Sequence, residues 1–176
     1  MSSAAPHRLI RHGLAIGLLA SALHLGWEYT HGGVASHHLL ARADMPAVSN
    51  WWGLIVLPLL GWAASRSALG RAARHDAARR STAAFFGALI VGLALSLSFA
   101  AGLESAASAI FLAALGIGVF LPTYRAECLF GFVLGMTFVL GSVLPMMFAL
   151  VGAAISAAAH FMVQPVIARL WKVVRA

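Results

Sequence analysis

The sequence predicts an all-α integral membrane protein: a bundle of about six transmembrane helices with both termini in the cytoplasm. Three observations predict it. Apolar residues make up 61% of the chain and charged residues 10%, with a mean hydropathy of +0.90, whereas soluble domains average about 45–50% and about 25%. The apolar residues gather into about six runs near the length a helix needs to cross hydrocarbon. Finally, of 12 Lys and Arg residues all but Arg42 fall on one side if those runs alternate in direction. The positive-inside rule makes that side cytoplasmic. Removing or adding one span would scatter the basic residues.

The first run covers roughly 10–30 and follows Arg8 and Arg11. The second, roughly 50–65, is the shortest; Ser49 or Asn50 suits its N-cap, and Pro58 removes a donor and kinks it. Residues 66–80, RSALGRAARHDAARR, read as a solvated loop touching lipid headgroups, with a short interfacial helix as the alternative. Substitutions from Arg71 to Arg80 are therefore expected to disturb insertion rather than activity. The remaining runs cover roughly 82–102, 106–122, 127–143 and 146–170. Gly141 and Pro145 separate the last two, with Ser142 to Pro145 as a tight turn. Trp27, Tyr29, Trp51 and Trp52 mark the outer interface, and Trp62, Tyr124 and Trp171 the inner one. Residues 1–176 form a single domain, placed in the plasma (inner) membrane of a prokaryote. A competing reading takes Arg8, Arg11 and residues 13–22 as a signal peptide, leaving one span fewer.

The net charge of +7 and pI near 11.4 do not imply nucleic acid here. The basic residues flank apolar spans, where they set topology and touch anionic headgroups. The expected partner is the bilayer, with a second copy or another membrane protein as a further partner. Cys128 is the single cysteine, so neither a disulfide nor a Cys-based zinc site arises within the chain.

Small residues mark where helices approach in lipid. Gly13, Gly17, Ser21, His24, Glu28 and His31 lie along one stripe of the first helix. Gly152, Ser156, His160 and Gln164 form a second stripe on the last helix, and Gly131 and Gly135 a GxxxG on the fifth.

The chemistry-bearing residues gather at the outer side. His24, Glu28 and His31 share a helix face, and His37, His38, Asp44 and Glu104 lie at the same level. His24 and His31 are separated by a rise of about 10.5 Å, too far for one ion on a straight helix. A divalent transition metal, whether zinc, iron, manganese or copper, is expected to draw its ligands from Glu28, His31, His37, His38 and Glu104, with His24 or Asp44 as acid/base. The alternative is structural: Glu28 bonded to Asn50 or an indole, and His24 to a carbonyl. Glu28-x-x-His31 matches half of a di-iron carboxylate site, but no second ExxH follows. Haem is disfavoured, because His24 and His160 differ in depth by about 12 Å. His160 and Gln164 are pathway candidates, or packing residues held by a hydrogen bond.

No nucleophile elbow, P-loop, dinucleotide fingerprint or HExxH occurs. The first functional expectation is a metal-dependent membrane enzyme acting on a lipid or amphipathic substrate. The alternatives are a small metal-ion or solute permease and a non-catalytic accessory or assembly subunit.

Overall fold

The computed structural model describes residues 4–38, 44, 46–71 and 76–166. Among them six α-helices follow one another: α1 (Ala4–Thr30), α2 (Gly53–Arg71), α3 (Ala77–Ala100), α4 (Glu104–Phe120), α5 (Ala126–Leu140) and α6 (Val143–Ala158). A single π-helical turn, Ala159–Val163, continues α6. Between α1 and α2 lies an antiparallel two-stranded ribbon, β1 (Ser36–His38) with β2 (Ala47–Ser49), which pairs His37 with Val48. One 3-10 turn, Asn50–Trp52, leads from it into α2.

Four stretches are long and apolar enough to cross a membrane: His7–Thr30, Asn50–Arg71, Ala77–Ala100 and Val143–Val166. The two other helices, α4 and α5, are apolar but shorter, at 17 and 15 residues. Large apolar side chains such as Leu19, Ile90, Leu97, Leu112, Phe120 and Met162 are more than half exposed, a surface that lipid rather than water would cover.

Glycine seams hold the helices together, as expected in lipid. A Cβ on Gly13 would run into the carbonyl of Gly61, and a Cβ on Gly61 into that of Gly13. The backbones of α1 and α2 therefore touch directly. On the other side of the bundle, Gly131 and Gly135 of α5 meet the carbonyls of Phe85 and Leu89 on α3. Ser96 of α3 adds a hydrogen bond, 2.9 Å, to the carbonyl of Gly135.

The inner helix is α5. Almost every residue from Glu127 to Thr137 is buried, and α2, α3 and α6 pack around it. Its 15 residues span about 22 Å, less than the about 30 Å of a hydrocarbon core. A helix this short does not reach both interfaces alone. Its two ends lie inside a sleeve of longer helices, and polar residues collect at each.

Consecutive helices run antiparallel. One end of the bundle, the His24 end, holds the α1–α2 connection and the α5–α6 turn. The opposite Arg71 end holds Arg8, Arg11, Arg66, Arg79, Arg80 and Arg125 at or near helix termini.

The expected boundaries need two corrections. Helix α2 runs on through Arg71 and α3 begins at Ala77, so most of 66–80 is helical rather than a solvated loop. Its Ala, Arg, Ser and Leu residues are adequate helix formers, and Arg71 is tied to the bundle core. The α5–α6 turn is also shorter than Ser142 to Pro145. Gly141 (φ +67) and Ser142 make the turn. Pro145 lies in the first turn of α6, where its missing N–H costs no hydrogen bond. Arg42, Arg74, Arg169, Trp171, Lys172 and Arg175, and the expected end of the last span, lie outside the described residues.

Candidate functional site

The α1 stripe continues outward into a buried polar cluster, called here the His24 pocket. Ser21 donates to the carbonyls of Gly17 (2.9 Å) and Gly53 (2.7 Å), bonding α1 to the start of α2. One turn on, His24 is 3% exposed. Its ring packs edge-on against Phe138 of α5, and its Nε2 lies 3.5 Å from Glu28 Oε1. The same Oε1 accepts a 2.5 Å hydrogen bond from Asn50 Nδ2. Glu28 Oε2 is buried and has no partner.

Asn50 is placed with care. It is 3% exposed, and its backbone N–H donates to the Ala35 carbonyl at 3.0 Å. A Cβ on Gly141 would overlap its amide, so the positive-φ glycine that turns α5 into α6 also makes room for Asn50. Next to it, Ser142 Oγ is buried without a partner and lies beside Gly53. The pocket thus draws on α1, the α2 entrance and the α5–α6 turn. It holds two unpartnered polar atoms, a carboxylate oxygen and a hydroxyl.

Of the expected site residues, the structure brings together His24 and Glu28. His31 does not join. Its Nδ1 lies 2.9 Å from the Trp27 carbonyl and 3.0 Å from Thr30 Oγ1, and its ring stacks on Trp27 at 3.6 Å. The C-terminal turn of α1 ends there, with Gly33 N–H closing on the Glu28 carbonyl, so His31 faces outward. His38 and Asp44 are exposed. Glu104 opens α4 and borders a cleft between α3, α4, α5 and α6. Among the described residues no three His, Cys, Asp or Glu side chains are grouped to hold a metal.

His160 and Gln164 sit elsewhere. His160 Nδ1 lies 2.8 Å from the Ser156 carbonyl, with its ring edge-on to Tyr124. Gln164 donates to the Val119 carbonyl at 3.1 Å. Ser156 accepts from the Thr123 N–H and donates to the Leu121 carbonyl, both at 3.1 Å. In this arrangement the stripe on α6 fastens the α4–α5 connection.

Sequence reading missed one polar group entirely. At the Arg71 end, Arg71 Nη2 meets Glu127 Oε1 at 2.5 Å, while its Nη1 bonds Ser67 at 2.6 Å and its Nη2 Ser81 at 3.3 Å. Glu127 is 3% exposed. Its one sequence signal was an acidic residue among arginines in the first turn of a helix. Between this pair and the His24 pocket, Leu57, Leu60, Leu129, Phe130 and Val133 form a continuous apolar layer.

The chain matches no protein-family model, no curated protein and no solved structure.

Proposed function

We propose that this chain is a six-span membrane protein of a prokaryotic plasma membrane, with both termini cytoplasmic, and that it is an enzyme. Its His24 pocket would carry out acid–base chemistry on a lipid or other amphipathic substrate at the outer leaflet. The gathering of described Arg residues at one end of the bundle supports the orientation.

The observation that carries the functional reading is the Glu28 carboxylate. One oxygen is held by Asn50 and faces His24, while the other is buried and unpartnered. A buried acceptor without a donor costs about 1–3 kcal/mol, more when charged. Glu127 Oε2 is unpartnered too, but its carboxylate is paired with Arg71, whereas Glu28 has only His24 and an amide beside it, an arrangement that a substrate group or cation would complete. His24 would take or give the proton, Glu28 would orient it, and Asn50 would fix Glu28. That is the logic of a base oriented by a third group. If a divalent metal takes part, Glu28 Oε2 and the His24 ring are the donors on hand, and the metal would supply an activated water. The apolar layer below the pocket favours chemistry at one end over passage through the bundle.

The test is lipid turnover. Wild type and Glu28→Gln are reconstituted into vesicles of total bacterial lipid with zinc, iron, manganese or copper in turn, or with none, and the lipids are profiled by mass spectrometry. The expected result is one lipid class consumed by wild type and spared by Glu28→Gln. An unchanged profile under every condition overturns the enzyme reading.

A further inference from the structure

On the opposite face of the α5 C-terminus from His24, α3, α4, α5 and α6 leave an open cleft of about 470 Å3. That size falls within the about 300–1,000 Å3 of sites that bury a small ligand. Its walls are apolar: Phe99, Phe111, Met136, Leu140 and Phe148. Its polar lining is placed differently. Ser98 is buried and donates to the Ala94 carbonyl, whereas Glu104 and Ser108, one turn apart at the start of α4, are both exposed. Glu104 is the one charged residue of the lining. Among the described residues, it forms no ion pair and no described Lys or Arg lies at that end of the bundle.

An apolar slot with a carboxylate at its rim, in a chain that lies in lipid, selects for two things at once. The slot takes a hydrocarbon chain, and the carboxylate takes a cation at the chain's head. We propose that this cleft binds a bilayer lipid with an ammonium head group, its acyl chain between Phe99, Phe111 and Met136 and its ammonium beside Glu104. The site shares no residue with the His24 pocket, so it stands whether or not Glu28 performs chemistry. Met136 and Leu140 face the cleft, whereas Phe138 and Gly141 face His24 and Asn50.

The experiment is native mass spectrometry of the full-length protein in detergent, titrated with phosphatidylethanolamine or phosphatidylglycerol of identical chains. Three variants are compared with wild type. Glu104→Gln removes the charge, Glu104→Asp keeps it, and Ser108→Phe fills the cleft mouth. All are at exposed positions and leave the core untouched. An exposed charge pair supports a change of about two- to fivefold. Glu104→Gln should weaken phosphatidylethanolamine by that factor and leave phosphatidylglycerol unchanged. Glu104→Asp should retain wild-type preference, and Ser108→Phe should weaken phosphatidylethanolamine. If phosphatidylethanolamine is unmoved by either Glu104→Gln or Ser108→Phe, if both lipids fall together in Glu104→Gln, or if Glu104→Asp behaves as Glu104→Gln, the proposal is overturned.

Discussion

The two polar clusters at the ends of α5 are built from similar groups and differ in how their carboxylates are paired. At the Arg71 end, Glu127 is answered by a guanidinium that also holds Ser67 and Ser81. At the His24 end, Glu28 is answered by the neutral amide of Asn50 and a histidine 3.5 Å away, with no Lys or Arg paired to it among the described residues. The first is a charge pair inside the bundle, which fixes α2 against α5, although Glu127 Oε2 and Arg71 Nε are also buried without hydrogen-bond partners. The second leaves a carboxylate whose charge nothing in the described structure neutralises. On the proposed reading, the difference separates a structural ion pair from a site that takes a ligand.

The sharpest way to break this comparison is to remove one half of the Arg71–Glu127 pair. Glu127→Ala strands Arg71 and should destabilise the protein by about 3 kcal/mol, the lower end of the range for a broken buried pair, since Arg71 is 27% exposed. Replacing both partners, Arg71→Met with Glu127→Leu, should restore most of it. Unfolding in detergent measures both, and an additive double variant would mean that the pair is not coupled. A loss of stability here adds a role for Arg71 to the expectation that substitutions from Arg71 to Arg80 disturb insertion rather than activity.

A smaller effect tests the other pocket. Asn50→Ala removes the donor to a charged acceptor and should cost about 1.5–3 kcal/mol by the same unfolding measurement. A loss under 0.5 kcal/mol, about the level of a neutral surface change, would mean that Asn50 does not hold Glu28. Smaller again, Ser142→Ala should leave stability within about 0.5 kcal/mol, because its hydroxyl has no partner to lose. A larger fall in unfolding temperature would reveal a bond to the hydroxyl.

Local pattern made much of the fold legible. Runs of apolar residues located all six described helices to within several residues. The spacing of Gly13, Gly17 and Ser21, and of Gly131 and Gly135, marked the faces that meet α2 and α3. The shared face of His24 and Glu28 followed from helical periodicity, and Asn50 was one of the partners expected for Glu28. What stayed hidden was non-local. Arg71 and Glu127 are 56 residues apart, and each alone reads as a loop charge or a helix-end charge. His31 shares the periodicity of His24 yet turns away, because the last turn of α1 offers it the Trp27 carbonyl and ring. The brevity of α5, which recesses both pockets, became informative only once its neighbours were known to be longer.

The most direct test is a paired unfolding measurement of Glu28→Gln and Glu127→Gln in the same detergent. Neutralising Glu28 removes a charge that lacks a full partner, so that variant should match wild type or exceed it by about 1 kcal/mol. Neutralising Glu127 should lower stability, because Arg71 loses its counter-charge. If Glu28→Gln falls as far as Glu127→Gln, both carboxylates are structural, and the His24 pocket is not held open for a ligand.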